Sequence, residues 1–423
     1  MTGQLPAGTP GSAHVRAVAR VGGERSGSST QPASISPRRR PGYLGPVHVV
    51  QLLAVEAAVI AVLAALGQGV LVVAAVAVAG ILVLGVVLTR RQGRWWLERR
   101  MMAWQFRRRR QARPSQRGLD PRLAALRWLA PGLTVENVNT RDGAQTGVAR
   151  DDAGWYAVAA VGAQAEMRDD PSAGLPLDAL VAALVEAGQP GAVLQVVTHS
   201  VPAPSLELDA GQPAGRSYRE LLQQFGPVPI PVDRVTWIAV RLDARALAEA
   251  GADGPDDTSR APAAVANLVR RVTRALRTAG LHYQVLDAGG LLDALARSCD
   301  LNPAGSGAPR EPREDWTAWH SGPLAHRSYW VRDWPTVAQS GALLDWVSTA
   351  PASLSSVSLI LAPEDGEVDL RCLVRVAAPA RELAAVGAAV ARGAHLAHAD
   401  LFPLDGEQGP AVYASAPTGG GPR

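Results

Sequence analysis

The sequence predicts an α+β, membrane-anchored protein: an N-terminal two-helix transmembrane hairpin followed by a cytoplasmic module of two ferredoxin-like (βαββαβ) halves. Three observations predict it. Two long apolar runs, Val47 to Leu66 and Val70 to Leu88, are split only by Gly67-Gln68-Gly69. Arginine clusters flank the pair on its outer sides, and the connecting turn carries no charge. Beyond residue 150 the same alternation of strand-like and helix-like patterns occurs twice, in the order β-α-β-β-α-β.

Residues 1–41 are rich in Gly, Ser, Pro and Arg and poor in large apolar groups, so a disordered basic N-terminus is expected. Residues 42–89 hold the hairpin. At 1.5 Å per residue each apolar run suffices for a hydrocarbon core of roughly 30 Å. A cleaved signal peptide fits poorly, because the first run starts late and a second follows at once. Arg38-Arg39-Arg40 precede the first run and Arg90, Arg91 and Arg94 follow the second. Positive residues stay inside, so a two-pass protein of the inner (plasma) membrane with both termini cytoplasmic is expected. Glu56 then lies at mid-depth, an intramembrane polar residue that is costly unless protonated or paired. A helix-pairing role suits it better than conduction, since one acid makes no relay.

Residues 90–121 form a basic, aromatic juxtamembrane helix and linker, opening with "RRQGRWWLERRMMAWQFRRRR". Arg90, Arg91, Arg94, Trp95, Trp96, Arg99 and Arg100 are the expected membrane-interface residues, because aromatic rings suit the headgroup boundary and guanidinium groups suit anionic lipid. Leu97, Met101 and Trp104 share one helical face, with Arg100, Arg107 and Arg108 available to lipid phosphates or a partner. No base-reading motif accompanies the charge, so no nucleic acid is expected. Residues 1–120 carry a net charge of +13 and the remaining 303 a net of −9, the pattern of a basic anchor on a mildly acidic body.

The first cytoplasmic half spans 122–301. "GWYAVAAVG" (154–162), "AVLQVVTH" (192–199), "RVTWIAVRL" (234–242) and "LHYQVLD" (281–287) read as strands, while 177–188 and 261–280 read as helices. "LLDALARSC" adds a further helix. A linker covers 302–325. The second half, 326–405, repeats the order with strands at 326–334, 355–363, 368–376 and 395–402 and helices at 341–350 and 381–394. Residues 406–423 read as a flexible tail. In the strand at 326–334, Tyr329 and Val331 share a face and belong to the helix-covered core. Trp330 and Arg332 take the other, open face of the sheet and form a candidate partner surface.

Chemical motifs are sparse. The chain has no lysine, which excludes a Walker A loop and Schiff-base or pyridoxal chemistry. G-x-S-x-G, H-E-x-x-H, D-x-D and a post-strand G-x-G-x-x-G are all missing. Cys299 and Cys372 form no C-x-x-C pair and read as buried free thiols. His395 and His398 would point to opposite sides of a strand, which argues against joint metal ligation. Asp169-Asp170 and Asp256-Asp257 sit in turn-like segments as solvated acids. Trp316, Trp319, Trp330 and Trp334 suggest an aromatic seam or partner surface. No catalytic, cofactor-binding or metal residue is assigned, and no cofactor is expected.

"GRWWLERR" (93–100), "SYRELL" (217–222), "RVTWIAVRLD" (234–243) and "SYWVRDWP" (328–335) together resemble EccE, a membrane component of the type VII (ESX) secretion system of actinobacteria. The similarity runs over roughly 41–403. It implies a non-enzymatic structural subunit whose partners are EccB, EccC and EccD besides membrane lipids, with EccC supplying the ATPase. Two other classes compete with it: a membrane-tethered transferase or hydrolase of unrecognised motif, and a membrane-anchored nucleic-acid binder.

Overall fold

The computed structural model describes residues 43–44, 47–87, 89–91, 94–111, 120–140, 143–162, 175–202, 220, 232–250, 257–301, 311–364 and 367–421. The expected basic N-terminus and all but one residue of "SYRELL" lie outside them.

The apolar runs form two helices, α1 (Val49–Ala65) and α2 (Val70–Val87), turned back on each other through Gly67 and Gly69. The expected transmembrane hairpin is corrected here: among the described residues no helix is long and apolar enough to cross a membrane. The reason is length. Val47 and His48 pair as a two-residue strand with Tyr43 and Leu44, which delays the start of α1, and Arg90–Arg91 pair with Arg94–Trp95 beyond α2. Helices of 17 and 18 residues rise only about 26 and 27 Å, short of a hydrocarbon core of roughly 30 Å. The two-pass topology therefore loses its support. The hairpin keeps an exposed apolar surface that includes Leu53, Ile60, Leu71 and Ile81. Glu56 is exposed on α1.

A third helix, α3 (Trp96–Gln111), carries the basic-aromatic stretch. Next come α4 (Pro121–Leu126), capped by the Asp120 side chain, and a twelve-stranded antiparallel sheet. Its strands are β1 (Thr134–Asn139), β2 (Gln145–Asp151), β3 (Gly154–Val161), β4 (Ala192–Pro202), β5 (Val232–Asp243) and β6 (Tyr283–Val285). The chain continues through β7 (Arg313–Glu314), β8 (Trp319–Ser321), β9 (Leu324–Asp333), β10 (Leu354–Glu364), β11 (Glu367–Pro379) and β12 (Asp400–Pro403). Among them lie α5 (Leu177–Glu186), α6 (Ala244–Ala250), α7 (Asp257–Thr278), α8 (Ala288–Ser298), α9 (Val337–Ser348), α10 (Leu383–Leu396) and α11 (Gln408–Ser415).

The main path of the sheet is β7-β8-β9-β11-β10-β4-β5-β3-β2-β1, with β6 on β3 and β12 on β9. Within it the orders β6-β3-β5-β4 and β12-β9-β11-β10 each come from one βαββαβ run, since a hairpin strand slots between the two strands of each βαβ unit. The halves are one continuous sheet rather than two. β4 and β10 pair from Ser200↔Ser355 to Leu194↔Leu361. The segment 302–325, expected as linker, contains β7, β8 and the start of β9 in its described part, because Trp319 is buried against the sheet.

Helices cover one face in each half. In the first, Leu180 and Leu184 of α5 and Val265, Val269, Val272 and Leu276 of α7 pack on Trp155, Leu194, Ile238 and Val240. In the second, Leu343 and Val347 of α9 and Val390 of α10 pack on Tyr329, Val331, Val374 and Val376. The opposite face, expected to be open, is covered as well. Leu126 of α4, Leu291 and Leu295 of α8 and Val412 and Tyr413 of α11 meet Tyr156, Val158, Trp237 and Ala239. β3 is apolar on both sides for this reason: a strand buried twice cannot alternate with polar residues. The segment expected as a flexible tail, 406–423, holds α11, in which Gln408, Val412 and Tyr413 are buried.

Candidate functional site

Strand alternation sends one set of polar side chains to the second sheet face: Asp151, Tyr156, Arg241, Gln195, His199, Ser356, Ser358, Arg375, His326 and Ser328. All of them are buried, and they form a seam across both halves.

The first cluster holds the C-terminal segment. Asp151, at the end of β2, accepts from the backbone N–H of Ala153 at 2.9 Å and pairs with Arg241 of β5. Tyr413 of α11 donates to Asp151 Oδ2 at 3.0 Å, and the Tyr156 and Tyr413 hydroxyls meet at 2.9 Å. Burial pushes both phenols up in pKa, so they stay protonated and serve as donors. Arg241 also donates to the Thr418 carbonyl at 2.7 Å. The turn that positions Asp151 requires a glycine: Gly154 has φ +148°, and a Cβ there would sit 2.0 Å from the Leu242 carbonyl oxygen.

Gln195 of β4 completes this cluster. Its Oε1 accepts from the N–H groups of Thr418, Gly419 and Gly420 at 3.0, 2.6 and 3.1 Å. Its Nε2 donates to Ser358 Oγ at 2.6 Å and to the Ala414 carbonyl at 2.8 Å. One carboxamide thus ties both halves to residues 414–420.

The second cluster is cationic. Arg375 of β11 is fully buried and donates to the Ser298 carbonyl at the end of α8. Its other terminal nitrogen lies 3.4 Å from His326 Nδ1, and His326 Nε2 lies 3.3 Å from Asp300 Oδ2. Burial lowers the pKa of His326 against the opposing pull of Asp300, with Arg375 adding to the depression. A neutral imidazole accepting at Nδ1 and donating at Nε2 fits both neighbours. His199 is also held well below the usual imidazole range by burial, then by Arg375, Arg297 and His326. Burial pushes the Cys299 and Cys372 thiols up to about 12, so both are inert rather than nucleophilic.

The basic helix docks beside this seam. Phe106 packs edge-on against Trp316 at 5.5 Å. Arg109 reaches Glu314 Oε1 at 3.2 Å and the Gly406 carbonyl at 2.5 Å, and Glu314 accepts from the Gly409 N–H at 2.9 Å. Glu314 therefore joins α3 to the first turn of α11.

The sequence candidates are dispersed. Arg90, Arg91, Arg94 and Trp95 lie in short paired strands whose side chains fall outside the description. Trp96 and Arg100 are exposed on α3 with the guanidinium 5.7 Å over the Trp96 ring, and Arg99 is half-buried. Trp330 and Arg332 share a face of β9, but Trp330 is half-buried and Arg332 pairs with Asp400 and stacks over Phe402 at 5.5 Å. His395 ends α10 and His398 follows it in a turn, rather than both lying in a strand as expected. Among the described residues no group of three or more His, Cys, Asp or Glu could hold a metal ion. The seam residues were not singled out from sequence. The available signal was a polar residue placed among apolar ones in a strand, as in "VLQVV" and "LVRVA".

A depression of about 200 Å³ lies elsewhere, lined by Pro202, Pro351, Ala352, Ser353, Ala378, Glu382 and Val386. It is below the roughly 300 Å³ at which ligand pockets begin, and it brings no pair of acid and base together.

These features define a duplicated α/β sheet protein in which buried polar groups such as Gln195, Arg241 and Arg375 join its parts. Residues 230–331 match the family model described as "EccE: Putative type VII ESX secretion system translocon, EccE". The matched stretch runs from the start of β5 through α6, α7, β6 and α8 to β9, and so contains Arg241, Asp300, Glu314 and His326. In this stretch the chain is similar to a type VII secretion component. No curated protein matches the chain.

Proposed function

We propose that this chain is a non-enzymatic structural subunit of a type VII secretion membrane complex, with EccB, EccC and EccD as its neighbours. The match over 230–331 carries the reading. The polar seam supports it: His326, Arg375, Asp151 and Arg241 make contacts that bind the two halves and residues 404–421 into one body. A rigid body with titratable groups locked inside suits a scaffold. Its chemistry is cohesion.

Association with a membrane belongs to the proposal, with Arg90, Arg91, Arg94, Trp95, Trp96, Arg99 and Arg100 near the lipid boundary. Trp330 and Arg332 remain the proposed partner contact, at the rim where β9 meets β12.

The test is mild detergent extraction followed by native mass measurement of the tagged full chain. The expected result is an assembly above the monomer mass in which peptide sequencing identifies the type VII ATPase. A lone monomer, or an assembly without that ATPase, refutes the reading.

A further inference from the structure

We infer that the outward face of α3 is a docking surface for an anionic phospholipid headgroup layer. The inference rests on the membrane-associated reading above and names the partner of this helix.

The orientation of α3 is set by its inward side. Phe106 is buried against Trp316, Arg109 is held by Glu314 and the Gly406 carbonyl, and Met102 approaches Gly406. Positions 102, 106 and 109 are one helical face. The remaining face therefore points outward. Arg100, Met101, Trp104, Arg107, Arg108 and Gln111 are all exposed there, at the spacing of a single stripe. Trp104 is 61% and Met101 57% exposed, high values for large apolar side chains beside a packed module. The Arg108 guanidinium lies 5.6 Å over the Trp104 ring, so charge and aromatic surface are presented together. From Arg99 to Arg117 the sequence contains no acid.

Charge alone would serve a nucleic acid equally. Two observations favour lipid. An indole and a thioether in the centre of the stripe suit a headgroup boundary, where the ring sits among glycerol and upper acyl groups, and contribute nothing to tracking a phosphate backbone. The helix α3 also contacts α2, which carries exposed apolar side chains of its own at Val78, Ile81 and Leu82. A helix pinned by one face, basic and aromatic on the other and in contact with a helix that exposes apolar side chains, matches an anionic leaflet in all three respects.

The test is co-sedimentation of the full chain with vesicles of phosphatidylcholine alone and of phosphatidylcholine with phosphatidylglycerol. Apolar contact from α1 and α2 is common to both, so the ratio of the two partition coefficients isolates the charge-dependent part. The double variant Arg107→Gln/Arg108→Gln should lower that ratio roughly tenfold to thirtyfold. Arg107→Lys/Arg108→Lys keeps both charges and should preserve it. A parallel titration with a double-stranded oligonucleotide at equal ionic strength gives the other arm. A ratio near unity for the wild type, a ratio unchanged by the Gln variant, or oligonucleotide binding that exceeds vesicle binding and falls with the Gln variant would each overturn the inference. A lone monomer that still prefers anionic vesicles would refute the subunit reading and leave this one standing.

Discussion

Gln195→Ala removes five contacts that converge on one side chain. Its oxygen satisfies the N–H groups of Thr418 and Gly419, both buried, and of Gly420, which is partly buried. Its nitrogen satisfies Ser358 Oγ and the Ala414 carbonyl. An unpaired buried donor costs about 1–3 kcal/mol, so the two buried N–H groups alone imply a loss of about 2–6 kcal/mol. The void left by the side chain adds to this. The loss should be concentrated in the C-terminal segment, because Val412 and Tyr413 still pack on the sheet. Hydrogen exchange of a peptide covering 408–421 should accelerate in the variant, with a lower urea midpoint for the whole chain. Gly419→Ala approaches the same segment independently. Gly419 has φ +77°, and an added Cβ would lie 2.3 Å from Arg241 Cβ, so it should also loosen the segment. Unchanged exchange at 418–420 together with an unchanged midpoint in Gln195→Ala would refute the view that Gln195 holds this segment.

The strand β9 permits a paired test: Val331→Asp places a charge in the helix-covered core and should unfold the second half, whereas Trp330→Ala, at a half-buried site, should cost about 1–3 kcal/mol and leave circular dichroism native. Collapse with Trp330→Ala and tolerance of Val331→Asp would reverse the face assignment. For pH, His199 and His326 have lowered folded pKa values while the unfolded chain titrates near 6.5. Their contribution is complete above that value and is lost as pH falls towards the folded pKa, because the unfolded state then binds the protons. The slope is about 1.4 kcal/mol per pH unit for each histidine. Urea midpoints should therefore fall from pH 7.5 to pH 5, and a midpoint that rises over that range would contradict buried neutral imidazoles.

Legibility varied with the range of the interaction responsible. The split βαβ strands could be read because alternation and apolar helix faces are local: "RVTWIAVRLD" carries Ile238, Val240 and Leu242 on one side of β5 without reference to any other segment. The edge strand β1 carries a weaker pattern, exposed at Thr134, Glu136, Asn137 and Asn139, and was missed together with its neighbour β2. The hairpin expectation failed most at its start, where α1 begins at Val49 instead of Val47, since the pairing of Val47–His48 with Tyr43–Leu44 competes with the helix for those residues. The apolar content of α1 and α2 was plain, but their length was a matter of what flanks them. The second core was signalled by "WYAVAAV" in β3, a run too apolar for a strand with one open face.

Composition and local period by themselves determined that this chain lacks lysine chemistry, that its basic charge is concentrated before residue 120, and which segments of the module favour strand or helix. Tertiary structure alone decided that β4 and β10 join the halves into one sheet, that α11 closes its second face, and that Gln195, Arg241 and Arg375 are cohesive groups. The reason is separation along the chain. Gln195 meets Thr418 across 223 residues and Arg375 meets Ser298 across 77, and no periodicity within either segment encodes which distant backbone group a buried polar side chain must satisfy.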